Sequence, residues 1–489
     1  MHLSDIKYWM RCPKYLWLNH HEPQKYQSFV HYHLHLSDLL IEYYSLQNPF
    51  IGAPNDPNEW TMQKLDVHDA LLYPRFETGG IRIKVPLMIK QGQAWKIIFT
   101  YLACHPRESE AQKIADTIQV LKALHIPIAD VSLLHLNENY VRGNTLDVHQ
   151  LFHETTYLYN KKNHPHHSIQ ELIQACKRNV FDYVDEIESI IRQSDCPDQS
   201  QGPQCMKQGK CPYYTHCFPE PFTDTSVHYL MQTGGKYDLE KGGYDDMRTI
   251  DVSVLEGNRL QYAQLMAARN NGFFIDRFAV KSWIKNNIQY PISYLDFEWD
   301  TFVYPPYERM RPFDVITFQY SLHIEDAPET PLRHEEFLGQ GDCRIAFIEH
   351  LLAHIPKEGS ILVYNMEGAE KLRLIQLSKQ FPIYKKKLDS LCNRMVDLSL
   401  PFETGSIYDI RMKGLYSLKK LVEIFSEHDY HKLAVSYGLE AVIKWRELSE
   451  TNNAEEIKQQ LLEYCALDSY AEYIVFHKIG QWLEEEISM

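Results

Sequence analysis

The stretch Ser293-Tyr294-Leu295-Asp296-Phe297-Glu298-Trp299-Asp300 places two carboxylates, Asp296 and Glu298, at alternate positions of an apolar run. Alternate residues of a strand point to one face, so the two acids project together. Side by side at the end of a buried strand they repel each other, and a divalent cation is the natural neutralising partner. About 170 residues downstream, Leu462-Glu463-Tyr464-Cys465-Ala466-Leu467-Asp468 lies in an apolar-periodic helix that runs on through Tyr473 and Phe476. Tyr464 and Asp468 are four apart and share a face of it.

Thiols form a second candidate group. Cys12 sits in Trp9-Met10-Arg11-Cys12-Pro13-Lys14-Tyr15-Leu16-Trp17, while Cys196, Cys205, Cys211 and Cys217 gather among Gly, Pro and Tyr residues. That later segment has too little periodicity to build a core, so something else must hold it. Four sulfurs close either a zinc tetrahedron or a [4Fe-4S] cube. The spacing Cys205-x5-Cys211-x5-Cys217 is not the paired Cys-x-x-Cys of zinc ribbons, and Cys196 is an alternative to Cys12 in a local site. Cys104, Cys176, Cys343, Cys392 and Cys465 are isolated and read as buried thiols. His31, His33 and His35 read as part of an amphipathic helix leading to Leu39, Leu40 and Ile41, and His164, His166 and His167 as a solvated loop. Neither set is expected to bind metal.

The elements that must position these residues belong to a chain of 489 residues, long enough for two or three domains. Its 44% hydrophobic and 24% charged residues are those of an ordinary globular protein. No apolar run approaches the length of a membrane span, and the N-terminus lacks the layout of a signal peptide, so a cytoplasmic protein with reduced cysteines is expected. The net charge of -15 argues against broad, non-specific affinity for phosphate backbones and leaves room for a narrow groove.

Three segments are expected: residues 1–221, a connector at 222–285, and residues 286–489. In the first, Gly80 to Met88 and Trp95 to Leu102 read as strands and Ala111 to Leu124 as a helix. In the connector, Leu260 to Met266 reads as helical between glycine-rich turns. In the third, Phe313 to His323 alternates as a strand antiparallel to the first, followed by a helix from about Cys343 to Ala353 and a strand at Ser360 to Asn365.

The acid pair and the Tyr-x-x-x-Asp helix, in that order and at that separation, resemble the DEDD exonucleases of the tyrosine subtype, which include ribonuclease D and polymerase proofreading domains. Arg394 to Leu398 and the segment Gly414-Leu415-Tyr416-Ser417-Leu418-Lys419-Lys420-Leu421-Val422 resemble further ribonuclease D features. The resemblance implies a ribonuclease-H-like fold for residues 286–489. It also implies a third acid just after Asn365, met by Glu370 or by Glu367, with Asp397 structural. Asp296, Glu298, Glu370 and Asp468 would then hold two Mg2+ or Mn2+ ions and Tyr464 would orient water, with Trp299 available to stack on a terminal base and Phe297, on the strand face opposite the acids, read as core packing. One N-terminal cysteine and three late ones resemble the iron-sulfur nucleases of the PD-(D/E)xK superfamily, with a restriction-endonuclease-like fold. That implies Cys12, Cys205, Cys211 and Cys217 as ligands of a [4Fe-4S] cluster, with zinc as the alternative. The acids and lysine of such a nuclease fall at Pro86, Phe99 and Tyr101, which implies a domain that keeps its fold without its chemistry, Asp116 and Gln119 remaining as supporting residues. The whole α/β chain resembles the bacterial "domain of unknown function 2779" family. The function implied is a 3'-5' exonuclease on single-stranded or frayed 3' ends of nucleic acid, DNA before RNA. The alternative is a non-catalytic nucleic-acid-binding or assembly protein.

Overall fold

Runs of apolar and β-branched residues, broken by turn residues, build two mixed α/β sheets, one in each of two compact units. The structure is a computed structural model and describes residues 1–24, 28–207, 209–219, 222–233, 235–255 and 257–484. Unit 1 holds the described residues of 1–26, 31–219 and 302–314, and unit 2 those of 27–30, 220–301 and 315–489. Among the described residues no helix is long and apolar enough to cross a membrane.

In unit 1, α1 (Pro13–His21) begins directly after Cys12, with proline at the first helical position. The strands are β1 (Phe50–Ile51), β2 (Ala70–Leu72), β3 (Arg75–Thr78), β4 (Ile81–Lys84), β5 (Leu87–Gln91) and β6 (Ala94–Tyr101). After α2 (Ala111–Ala123) come β7 (Ile128–Leu136) and β8 (Phe152–Thr155). The sheet order is β1-β2-β5-β6-β7-β8. β5 and β6 form an antiparallel hairpin, and β6 and β7 are parallel, as a strand-helix-strand crossover through α2 permits. Alternation in β6 sends Trp95, Ile97 and Phe99 into the core, where Ile114, Ile118 and Leu121 of α2 meet them.

Three expectations for unit 1 are corrected. Residues 80–88 are two strands in different sheets: β4 pairs with β3, while β5 joins the main sheet. The break falls at Val85-Pro86, because proline has no N–H to give to a ladder. His31, His33 and His35 precede a helix that begins only at Leu36, with His35 at its N-cap. The rings of His31 and His33 pack instead on Phe302, with centroids 4.8 and 5.5 Å away. His166 and His167 are strand residues rather than loop, in Pro165–Ser168 paired with Tyr157–Tyr159.

In unit 2 the segment read as a connector packs within the unit. α3 (Arg259–Arg269) is N-capped by Asn258, and its Leu265 shares a core with Val227, Leu230, Met247 and Ile250. β9 (Phe273–Ile275) and α4 (Arg277–Asn287) lead into β10 (Ile292–Phe302), the strand that carries the acid pair. Then follow β11 (Val315–Glu325), β12 (Arg333–Leu338), α5 (Arg344–His354), β13 (Ser360–Val363), α6 (Glu370–Gln380), β14 (Met395–Asp397) and β15 (Ile407–Asp409), the last paired antiparallel with β9. α7 (Leu418–Phe425), α8 (Gly438–Glu447) and the long α9 (Ala454–Glu484) complete the unit.

The sheet runs β12-β11-β10-β13-β14, with β10 antiparallel to β11 and parallel to β13. β11 pairs as its alternation suggests, yet it is buried along its whole length. Its polar face is covered by α9: Gln319 donates to the Leu461 carbonyl at 2.7 Å, and Ser321 and His323 bond the Ser469 hydroxyl at 2.6 and 2.8 Å. These bonds, with Leu461, Val475 and Ile479 fully buried at roughly 1.5–3 kcal/mol each, set where Tyr464 and Asp468 stand over the sheet.

Candidate metal centre

β10 carries Asp296 and Glu298 on one face, as the period of two requires, opposite Ser321 and Gln319 of β11. The register shifts between Glu298 and Trp299, a bulge of the kind that re-aims side chains beside functional sites. α9 brings Asp468 onto the pair. One carboxylate oxygen from each of Asp296, Glu298 and Asp468 lies within 4.8 Å of the others. Tyr464, one turn earlier, is 2% exposed, and its hydroxyl accepts a 2.8 Å bond from the Lys419 ammonium of α7. The Tyr430 hydroxyl donates to Asp468 at 2.7 Å, and the Cys465 thiol leans on Asp296 Oδ2 at 3.6 Å.

The third acid comes from the turn after β13. Asn365 takes a left-handed backbone (φ 62°), and its N–H and that of Met366 donate to Asp397 at 3.1 and 2.9 Å. Ser399 N–H donates there too, at 2.9 Å, so Asp397 is spent on backbone amides and is structural, as expected. The turn delivers Glu370 as the first residue of α6, 2% exposed and with Oε2 lacking a hydrogen-bond partner. Glu367 points outward, paired with Lys371 at 2.5 Å, which leaves Glu370 as the acid beside the centre. Glu370 acts on Asp296 electrostatically but lies outside the tight group of three.

Electrostatics follow from this crowding. Burial, then repulsion from Asp468, Glu370 and Glu298, raises the Asp296 carboxyl well above its ordinary range. Glu298 is raised by burial and Asp468, with Lys419 opposing. Asp468 is raised by burial, against Lys419 and hydrogen bonds from Tyr430 and Tyr464. Glu370 is pushed up to about 8, chiefly by burial. Burial and the neighbouring acids also raise the Tyr464 hydroxyl, so it stays a neutral phenol. A set of hard oxygen donors that resist ionisation together suits Mg2+ or Mn2+.

Other residues of the strand are committed elsewhere. Asp300 is fully buried in a bidentate pair with Arg446, at 2.6 and 2.9 Å. Phe297 packs edge-to-face on Phe347 in the core, as the face opposite the acids requires. The Trp299 ring lies under the Arg373 guanidinium at 4.4 Å, so that face is covered and does not offer the base platform expected of it. Lys419, Tyr430, Cys465 and Glu472 border the acids without having been singled out from sequence. Glu472 alone carried a signal, four residues beyond Asp468 and hence on the same helix face.

In unit 1, Cys12, Cys205, Cys211 and Cys217 line one cavity, and Cys196 does not. Arg11 ties the two ends of the unit together there, donating to the carbonyls of Gln204 at 3.1 Å and Gly209 at 2.9 Å. Burial, with the Cys211 and Cys12 sulfurs, pushes the Cys217 thiol up to about 11 against the pull of Lys14. Phe99 is buried and Tyr101 half-buried, and neither they nor Pro86 offers a carboxylate or amine. Asp116 is ion-paired with Arg178, and the Gln119 side chain bonds the backbone of Arg178 and Val180. One further group, Glu108, His166 and His167, brings its ligand atoms within 4.8 Å on a largely exposed surface, where Glu108 and His166 already bond at 2.6 Å.

Unit 2 is thus a mixed α/β unit that gathers three carboxylates from a central strand and a distant helix. Residues 293–417 match the family described as domain of unknown function (DUF2779). The match takes in Asp296, Glu298 and Glu370 and stops before α7, leaving out Lys419, Tyr464, Asp468 and Glu472. No curated protein matches the chain, and no solved structure does.

Proposed function

We propose that unit 2 is a metal-dependent 3'-5' exonuclease of the DEDD tyrosine type, acting on single-stranded or frayed nucleic acid ends, DNA in the first instance. The observation that carries this is the meeting of Asp296, Glu298 and Asp468 within 4.8 Å. The succession of three strands, helix, strand and helix from β10 to α6 supports the ribonuclease-H-like reading. Glu370, with an unsatisfied buried oxygen, is the fourth acid. Mg2+ or Mn2+ bound there would supply an activated water and stabilise the leaving 3' oxygen. The chain's own part is positional. Asp296, Glu298, Glu370 and Asp468 would hold the two ions, and the neutral Tyr464 hydroxyl, braced by Lys419, would orient water by hydrogen bonding.

Release of nucleoside 5'-monophosphates from end-labelled single-stranded DNA and RNA in Mn2+ tests the reading. Product from DNA supports it, and product from RNA alone points to an RNA exonuclease. Absence of any metal-dependent product points to the second reading, a nucleic-acid-binding protein, which the position of Glu370 outside the tight group favours. Tyr464→Phe is expected to slow release about 10- to 100-fold, the worth of one hydrogen bond to a charged group, with Mn2+ affinity unchanged by calorimetry.

For unit 1 the same proposal includes a [4Fe-4S] cluster on Cys12, Cys205, Cys211 and Cys217, in a PD-(D/E)xK-like domain without catalytic acids that steers nucleic acid. The four thiols on one cavity fit a cluster. Purified protein is expected to contain iron and sulfide and to show a visible absorption band that bleaches on reduction. Cys205→Ser should remove the band, whereas stoichiometric zinc without iron would overturn the assignment.

A further inference from the structure

In unit 1, Glu108, His166 and His167 each offer a ligand atom within 4.8 Å of the other two. Neighbouring residues of a regular strand point to opposite faces, so two consecutive histidines should not share a site. A bulge brings these two together. Tyr157 stands opposite Ser168 and Tyr159 opposite Pro165, so Leu158 alone faces both His166 and His167. The extra residue interrupts the alternation, and the two imidazoles lie side by side with centroids 4.0 Å apart, each side chain 49% exposed. Leu158 itself is fully buried and anchors the hairpin in the core of the unit.

The carboxylate comes from a separate segment that is fastened to the same hairpin. Glu108 opens a short 3-10 turn, Glu108–Glu110, directly after Arg107. The Tyr159 N–H donates to the Pro106 carbonyl at 2.9 Å, and the backbone of Arg107 forms a bridge with that of Tyr159. The Arg107 guanidinium donates to the Asn163 side chain at 2.6 Å and to the Asn160 carbonyl. Glu108 is thereby brought to the bulge, where its Oε1 meets His166 Nδ1 at 2.6 Å. Beyond His167, Glu171 Oε2 stands 3.9 Å from the Nδ1 atom and accepts the Ser168 N–H at 3.0 Å, which places a second, steadied carboxylate beside that ring.

The donor set decides the kind of ion. Mg2+ and Ca2+ prefer oxygen ligands, whereas neutral imidazole suits zinc and its first-row neighbours. Two imidazoles and one carboxylate, open to solvent, match the three protein ligands that zinc completes with water. Such a cation would take the place of the proton in the Glu108–His166 bond. We propose that Glu108, His166 and His167 form a surface zinc site that clamps the hairpin of residues 157–168 to the turn at 108–110. It shares no residue with the acid cluster of unit 2 or with the four cysteines. Sequence alone reads these histidines as free of metal, because the bulge that pairs them depends on their register with Tyr157 and Tyr159.

Calorimetric titration of Zn2+ into the full-length protein as purified, with Mg2+ in excess, tests the site without an activity readout. The wild type is expected to show a binding event that Glu108→Gln, His166→Gln and His167→Gln each weaken by about 100-fold or more, beyond the 10- to 100-fold typical of a residue that only orients a ligand. The three side chains are largely exposed, so melting temperatures without Zn2+ should stay near that of the wild type. Cu2+ in place of Zn2+ gives a second readout: its electron paramagnetic resonance should show coupling to two nitrogens in the wild type and to one in each histidine variant. Zinc taken up by the cysteines or the acid cluster would persist in all three variants. Zn2+ binding that is unchanged in all of them, or nitrogen coupling that is the same in the wild type and the histidine variants, would overturn the site and leave the readings of those two clusters standing.

Discussion

Asp296→Asn is expected to reduce Mn2+-dependent release of nucleoside 5'-monophosphates by about 10³-fold or more, the equivalent of several kcal/mol of lost metal stabilisation. Asp296 is the carboxylate on which the others converge: Asp468, Glu370, Glu298 and Glu472 all act on it or are acted on by it. The amide is nearly isosteric, so the fold should survive. Removing one member of a mutually repelling buried set should in fact raise the melting temperature of the metal-free protein by a few degrees, as a gain of about 1 kcal/mol does for a unit of this size. Asp300→Asn provides the contrast two residues along the same strand. It breaks the buried pair with Arg446, so it should destabilise the unit by roughly 3 kcal/mol while leaving Mn2+ binding intact. Nuclease assays and thermal melts of the two variants side by side check both halves. Substantial activity in Asp296→Asn would mean that the cluster of unit 2 is not where phosphodiesters are cut.

Much of this centre could be read before the fold, because two of its parts obey local periodicities. The pair Asp296 and Glu298 follows from the strand period of two, and Tyr464 and Asp468 from the helix spacing of four. Their meeting across about 170 residues was reached by resemblance and not by either period. Glu370 was legible only as one of two candidates, since a turn decides which of Glu367 and Glu370 faces inward, and the left-handed Asn365 held by Asp397 makes that choice. Glu472 satisfied the same spacing as Asp468, yet a glutamate in a helix looks like surface until the sheet is seen covering it. Tyr430 had no signal at all, and Lys419 lay in a segment noted for its resemblance but with no role of its own, because their roles come from α7 and the following turn packing beside α9. In unit 1 the misread strand at residues 80–88 shows apolar alternation carried too far across Pro86. The platform expected at Trp299 fails because Arg373, from another element, occupies the ring face.

Metal-free protein should lose stability as pH rises from about 4.5 to about 8, and divalent ions should restore it most at the upper end. Glu370 shows the sign. Its ordinary value is 4.5 and burial raises it to about 8, with the Asp397 charge adding, and its own helix amide, the Phe297 amide and Arg373 opposing. Below 4.5 the carboxyl is protonated in folded and unfolded chains alike and pH has no effect through it. Between the two values the folded protein keeps a proton that the unfolded chain has released, so each pH unit gained favours unfolding by about 1.4 kcal/mol for such a group. Asp296, Glu298, Asp468 and Glu472 are shifted in the same direction, and because they titrate together the summed loss is smaller than five independent groups would give. A bound cation replaces those protons, so its stabilising effect must grow with pH. Thermal melts near pH 5 and near pH 8, with and without Mn2+, should show a small metal-induced rise in melting temperature at the lower pH and a large one at the higher. Glu370→Gln, which has no proton to lose, should flatten the metal-free profile. A metal-free melting temperature that stays level or climbs across this range would mean that these carboxylates are neutralised by something other than protons or cations, and the metal centre would have to be abandoned.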